Sequence, residues 1–406
     1  MESLKFFIKS FGCRLNQYYA DYFANSVVES GFEIVKEERE ADVVAITSCV
    51  VTHRAERDLR HYVSHIKRLA PKAKIVVFGC YPKYGKEVDA DVVGELKEIL
   101  KVLNLEDPGH LVRPFLRVRE NVRVQEGCNF RCSYCVVPFV RGPSRSRPED
   151  EILKEIESLY ASGVVEIVLT GIQTGAWGRE WGDRLSNLIL RIKDHFPELR
   201  LRLSSISPIH IDEGVIELLK AKIVLPHLHL PMQHGSEKVL KEMKRPYKLS
   251  YYVNLVEKLV SNVPVIAIGS DIIVGFPTET DEDFEESIRL IEELPFAYLH
   301  VFEFSRREKT EAYFMKPLPS AVVRRRKNIL LPIARRKKLE FLRKNLGKEI
   351  SCVIEREEDG FFEATTDNYI KVKIRSDNLK IGEVKRIKLI SINEDDATMV
   401  GEVVEG

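Results

Sequence analysis

The chain has 406 residues, with 63 Lys and Arg against 62 Asp and Glu and a formal net charge of +1. That length exceeds one ordinary domain and points to two or three; so even a balance excludes holding a polyanion by global charge and leaves only local patches. No run of 18 apolar residues occurs and the opening MESLKFFIKS has no apolar signal core, so the chain reads as cytoplasmic, where its seven cysteines act as thiols, metal ligands or nucleophiles rather than disulfides.

In chain order, LKFFIKSFG (4–12) reads as a strand and NQYYADYFANSVVES (16–30) as a helix, with Asn16 as N-cap and Gly31 closing it. DVVAIT (42–47) reads as a second strand, HRAERDLRHYVSHIKRLA (53–70) as a helix stopped by Pro71, and KIVVFG (74–79) as a third strand. The alternation predicts a doubly wound parallel sheet over residues 1–112. Each strand runs out at a cysteine: Cys13, Cys49 and Cys80, spaced by 36 and 31 residues. Parallel strands open their C-terminal ends on one edge, where ligands bind, so these three thiols should meet. One cysteine at a strand end is most simply a small buried hydrophobe. Three at equivalent positions suit zinc or an iron–sulfur cluster with one position left free.

From about residue 121 the alternation resumes. Strand candidates are NVRVQEG (121–127), VEIVLTG (165–171), LRLRLSSI (199–206), LPHLHL (225–230), VPVIAIGSDIIVGF (263–276) and AYLHVFEFS (297–305), with helical stretches between them. Six such units predict a partial (β/α)6 barrel over 113–343, with its site at the strand C-termini. On that face, after the first strand, lies GCNFRCSYC (127–135), a C-x3-C-x2-C loop of Cys128, Cys132 and Cys135 with Tyr134 before the last. Three ligands in one loop are too few for a closed structural zinc site. On a four-iron cluster they leave one iron open, as S-adenosylmethionine (SAM) requires if its amino and carboxylate groups are to chelate that iron. Gly171 ends the second strand, where backbone could approach the SAM amino group or simply turn. Gln233, after the fourth strand, is a SAM contact or a supporting amide. Ser204, Ser205 and Asp271 near strand ends carry the same two readings. His227 and His229 alternate on a strand, so both face one way, and with His234 they read as packed histidines.

GCNFRCSYCVVPFVRG (127–142), LHLPMQHGSEKVLKEMKRPY (228–247) and SDIIVGFPTETDEDFEES (270–287) resemble blocks of the radical-SAM methylthiotransferases, and GC, TSC and GC around Cys13, Cys49 and Cys80 match the cysteines of that family's N-terminal domain. The resemblance implies two [4Fe-4S] clusters: one on Cys128, Cys132 and Cys135 that cleaves SAM, and one on Cys13, Cys49 and Cys80 that presents the sulfur to be methylated and transferred. It implies two SAM molecules, one for methyl and one for the radical, and an electron donor such as flavodoxin or ferredoxin. Two departures stand out: RREKT (306–310), where the family often has Arg-Pro-Gly-Thr, and Thr47-Ser48-Cys49 in place of Asn-Thr-Cys.

RRRKNILLPIARRKKLEFLRK (324–344) holds ten Lys or Arg against one Glu; with Arg324, Arg325, Arg335 and Arg336 it is a candidate RNA face. SCVIEREE, FFEATTDNYIKVKIR, GEVKRIKLISI and ATMVGEVV read as four strand-like stretches of a small all-β module over 344–406, resembling the OB-like, tRNA-binding TRAM barrel. Residues 347–406 carry 9 Lys and Arg against 14 Asp and Glu, a net of −5, so binding would rest on a stripe of Lys371, Lys373 and Arg375 on one sheet face. Cys352 reads as a core thiol there. FGCRLNQ (11–17) and SCVVTHRAERD (48–58) resemble most the branch of the family acting on N6-threonylcarbamoyladenosine of tRNA. The alternatives are isopentenyladenosine of tRNA, a ribosomal-protein aspartate or, outside enzymes, an iron–sulfur RNA-binding regulator.

Overall fold

A computed structural model describes residues 4–84, 87–114, 118–376 and 378–404. The first three residues of the N-terminal stretch, and 115–117 near the first domain junction, lie outside the described residues. The N-terminal sheet comprises β1 (Lys5–Ser10), β2 (Glu33–Ile34), β3 (Val43–Ser48), β4 (Lys74–Gly79) and β5 (Val92–Val93), all parallel in the order β2-β1-β3-β4-β5. All six residues of the central β3 are buried, as an apolar strand covered on both faces requires. Its helices are α1 (Arg14–Glu29), α2 (His53–Leu69) and α3 (Leu96–Val102). Thr52 caps α2 by accepting the Ala55 N–H (3.1 Å). The helix α1 begins three residues earlier than an Asn16 cap would set it: Cys13, not Asn16, occupies the N-cap, because the Asn16 amide is fully buried and bonded elsewhere.

The middle of the chain runs β6 (Arg119–Arg123), β7 (Gln125–Glu126), α4 (Val137–Arg141), β8 (Arg145–Ser146), α5 (Glu149–Ala161), β9 (Glu166–Thr170), α6 (Leu185–His195), β10 (Arg200–Leu203), α7 (Glu213–Lys220), β11 (His227–His229), α8 (Glu237–Glu242), α9 (Leu249–Asn262), β12 (Ala267–Val274), α10 (Asp281–Glu293) and β13 (Tyr298–Glu303). Two parallel triplets, β6-β9-β10 and β11-β12-β13, are stitched by single bridges, Leu201 to Val224 and Ser205 to His229. The result is an open six-stranded half-barrel. Alternation along its strands sends Val122, Ile167, Leu169, Leu201, Leu203, Leu228 and Ile272 into the apolar core under the helices and leaves the opposite, inner face polar.

The 26-residue α11 (Ser320–Asn345) leads to a closed barrel of β14 (Glu349–Glu358), β15 (Phe361–Thr366), β16 (Lys371–Ile374), β17 (Val384–Asn393) and β18 (Thr398–Val403). FFEATTDNYIKVKIR is thus two strands rather than one. The chain reverses at Asp367–Ile370, where Tyr369 takes φ +67°, a left-handed turn that no Gly or Pro announces. Cys352 lies fully buried in this barrel's core. Among the described residues no helix is long and apolar enough to cross a membrane.

Candidate active site

The three strand-end cysteines do converge. Gly12 takes φ +107°, and a Cβ there would stand 2.7 Å from the Cβ of Cys49, so only glycine lets the first and second loops touch. Asn16 donates its amide to the carbonyls of Phe11 and Ser48, both at 2.8 Å. Ser48 accepts the Cys80 N–H at its carbonyl (3.0 Å) and donates its hydroxyl to Phe78 O (2.6 Å). The Thr-Ser-Cys departure therefore fastens β3 to β4 beside Cys49 and Cys80. Cys13 is exposed, Cys49 half-buried and Cys80 buried. Burial, with Cys80 and Cys13 alongside, pushes the Cys49 thiol up to about 12; burial also raises Cys80, against the pull of Arg141.

The second triad sits on the loop after β7. Gly127 (φ +76°) has Pro143 O 1.9 Å from where a Cβ would lie, so no side chain fits. Gln125 fixes the loop's root, donating to Gly127 O (2.8 Å) and Ser144 Oγ (2.9 Å) and accepting from Gln173 N (2.7 Å). Gly171, at the end of β9, lies against this residue: a Cβ there would be 2.9 Å from Gln125 O. Close packing is the reason for glycine at that place. Tyr134 packs among Val239, Met243 and Phe276. Ser204, just past β10, bonds Thr174 (3.0 Å); Ser205 is exposed. Gln233 holds φ +75° while its N–H donates to Asp271 O (2.8 Å), a strained backbone of the kind that gathers at functional sites. Burial raises Cys128 to about 11 and Cys135 to about 12, with Cys132 adding to both.

Each triad has an arginine donating to one of its sulfurs. Arg141, at the end of α4, reaches Cys80 Sγ (3.2 Å), Asn16 Oδ1 (2.5 Å) and Glu126 (2.9 Å). The next residue, Gly142, accepts the Cys128 N–H (3.0 Å). Two adjacent residues thus touch both triads. Arg245 donates to Cys132 Sγ (3.4 Å) and lies over the Tyr247 ring. A tetrahedral ion with sulfur bonds of about 2.3 Å needs sulfurs about 3.8 Å apart. Among the described residues only His229, Asp271 and His300 bring three ligand atoms within 4.8 Å of one another; neither cysteine triad closes that far. Three thiols on a four-iron cluster leave one iron without a protein ligand.

The inner face of the half-barrel forms a polar cleft. His227 and His229 both point into it and both reach the Tyr298 hydroxyl (2.8 and 3.2 Å). Asp271 lies in the middle of β12, not at its end: the long apolar run around it hides where the strand stops. It takes His229 Nε2 (2.9 Å) and His300 Nδ1 (3.2 Å). Burial would raise its pKa, but these two hydrogen bonds outweigh it and hold the carboxyl down to about 2. His234 is packed, taking Ser236 N (3.0 Å). The reversal at Asp367–Ile370 enters this cleft from the C-terminal barrel. Arg202 donates to Thr366 O and Asp367 O (3.1 and 3.0 Å), and Tyr369 stacks on His227 with ring centroids 4.0 Å apart. Sequence reasoning missed Arg14, Arg141, Arg245 and Tyr369, whose partners lie far along the chain. The RREKT departure is an interdomain tie: Arg307 is buried on Glu56 of α2.

Of the candidate RNA face, Arg324 is exposed. Arg325 pairs with Asp281 (2.9 Å), Arg336 with Glu292, and Arg335 donates to Glu394 O (2.5 Å). Lys371 and Lys373 face outward but meet Glu355 (2.7 Å) and Asp396 (3.3 Å); Arg375 is exposed.

An open parallel half-barrel with a C-x3-C-x2-C loop after its first strand is the architecture of a radical SAM enzyme, and the sequence model of the Radical SAM superfamily matches residues 122–291. The N-terminal sheet, residues 5–98, matches the Uncharacterized protein family UPF0004. Across 95% of this chain and all of the relative, 36% of residues are identical to the threonylcarbamoyladenosine tRNA methylthiotransferase MtaB of Aquifex aeolicus. A tRNA-2-methylthio-N(6)-dimethylallyladenosine synthase of Hydrogenobaculum sp. is 33% identical over 77% of this chain and 79% of its own. The chain belongs to the radical-SAM methylthiotransferase family. The radical SAM methyltransferase TsrM of Kitasatospora setae, solved with cobalamin and a [4Fe-4S] cluster, shares the fold with TM-score 0.52 and 15% identity over 76% of this chain and 77% of that one.

Proposed function

We propose that this chain is a tRNA-modifying enzyme converting N6-threonylcarbamoyladenosine at position 37 to its 2-methylthio derivative. The observation that carries the reading is the pairing of two three-cysteine centres through Arg141 and Gly142. Family membership and the MtaB relatives support the substrate. Cys128, Cys132 and Cys135 hold the SAM-cleaving [4Fe-4S] cluster, and Cys13, Cys49 and Cys80 hold a second one. When bound, the two clusters supply the electron that cleaves SAM and the sulfur that is transferred. Tyr134, Gly171, Ser204 and Gln233 shape the SAM side of the half-barrel, and Asp271, kept anionic by His229 and His300, faces the cleft. Arg141 and Arg245 each place a positive charge at a ligand sulfur, which favours the anionic thiolate. Arg324, Arg325, Arg335, Arg336, Lys371, Lys373 and Arg375 meet tRNA phosphates, several by exchanging their present carboxylate partners. One SAM serves as methyl donor and one as radical source; a flavodoxin- or ferredoxin-type protein supplies electrons in a cytoplasmic setting.

Incubating the reconstituted protein with SAM, reductant and tRNA should add a methylthio group to threonylcarbamoyladenosine, read by mass spectrometry of the digested tRNA. A gain only on isopentenyladenosine, or only on a ribosomal peptide, would refute the assignment. About four irons per chain without deoxyadenosine release would favour a regulator instead.

A further inference from the structure

The polar cleft is rich in arginine, and nearly all of that charge is already spent. Arg119 pairs with Glu355 (2.6 Å), Arg123 with Glu126 (3.4 Å), Arg200 with Asp367 (2.7 Å) and Arg202 with Glu166 (2.8 Å). Arg14 differs. It follows Cys13 directly, on the first turn of α1, and extends to the half-barrel, where it donates to the Tyr369 hydroxyl (2.9 Å) and to Asn121 Oδ1 (3.4 Å). Among the described residues it pairs with no carboxylate. A guanidinium offers five N–H donors in a flat fork matched to carboxylate oxygens, so most of its capacity is unused. Its charge is felt at Tyr369, Tyr298 and His227, which places it over the cleft rather than in bulk solvent. The second donor is independent. Asn121 is fully buried, and its Nδ2 has no hydrogen-bond partner, although its Oδ1 meets Arg14. A buried amide left without an acceptor is costly unless a ligand completes it.

An unpaired guanidinium beside an orphaned amide donor is a receptor for an anion with two acceptor oxygens. We infer that Arg14 and Asn121 form a subsite for the free carboxylate of the threonyl group on the substrate base; this rests on the threonylcarbamoyladenosine reading above. The subsite starts at the residue after Cys13, so a carboxylate held there ties the base modification to the N-terminal cysteine centre. An isopentenyl group offers no anion to satisfy Arg14 or Asn121, and the pair would stay unfilled.

The test is equilibrium binding of full-length protein to tRNA anticodon stem-loops carrying threonylcarbamoyladenosine, its carboxylate methyl ester, or isopentenyladenosine. The acid stem-loop should bind the wild type about 10- to 100-fold more tightly than the ester, the range of a charge-assisted hydrogen-bond pair. Arg14→Met should bring that ratio close to one, and Arg14→Lys, the variant to read if the first misfolds, should keep part of it. A wild-type ratio near one, or an unchanged ratio in Arg14→Met, overturns the subsite. If instead the wild type methylthiolates only the isopentenyl stem-loop, the substrate reading itself fails, a result distinct from a threonylcarbamoyl substrate bound without help from Arg14.

Discussion

Arg141 is the residue on which the two cysteine centres meet. Its guanidinium rests on Cys80 while its neighbour's carbonyl takes the Cys128 N–H. A positive charge this near a cluster favours the reduced, more negative state. Arg141→Gln should therefore lower the midpoint potential of the cluster proposed on Cys13, Cys49 and Cys80 by tens of millivolts, up to on the order of 100 mV. The cluster on Cys128, Cys132 and Cys135 should shift little, and an EPR-monitored redox titration reads both. Equal shifts in the two would mean the substitution acts through general loosening. The sequence displays the cysteines openly, because a C-x3-C-x2-C loop and a thiol at each strand end are local signals. It does not display Arg141 or Asn16. They are 61 and 32 residues from the Cys80 and Ser48 they bond, and 125 from one another. Asn16 reads as a helix cap by its neighbours, yet burial directs its amide to the loops that carry the thiols.

At the scale of elements, the start of β9 carries the heaviest electrostatic load. Glu166 is fully buried and meets Arg119 (3.6 Å), Arg200 (3.2 Å) and Arg202 (2.8 Å). Burial alone would raise its pKa, but the three guanidinium groups hold it down to about 2. A depressed carboxylate pKa gives stability that is present above the unfolded value near 4.5 and lost as pH falls toward 2. Glu166→Gln leaves the buried Arg202 without a carboxylate, while Arg119 and Arg200 keep Glu355 and Asp367, and should cost about 3–5 kcal/mol at pH 7. That gap should narrow by pH 3. Denaturant unfolding at both pH values measures it, and a gap that held or widened in acid would contradict the assigned ionisation. The six strands around this network are plain in the sequence as apolar runs between helices. The reversal at Tyr369 is not, since its left-handed turn uses a tyrosine where a glycine or asparagine would have given it away. Arg14 lies 355 residues from that tyrosine, so no local pattern links them.

The whole molecule is three folded parts around one cleft. The N-terminal sheet brings three thiols to its open edge, the half-barrel brings three more on one loop, and the C-terminal barrel sends Tyr369 and the carbonyls of Thr366 and Asp367 into the cleft. The fold class follows from element periodicity together with the family resemblance. How the parts sit together does not, because the ties are single long-range pairs such as Arg307 with Glu56 and Arg202 with Thr366. Division of labour between the two centres is the core of the proposed function, and two alanine variants separate them. Cys132→Ala should abolish deoxyadenosine formation and methylthiolation together. Cys49→Ala should retain deoxyadenosine formation while the methylthio product on tRNA disappears. Quantifying deoxyadenosine and methylthiolated nucleoside in the same reactions decides it: full methylthiolation by Cys49→Ala would contradict the two-centre account.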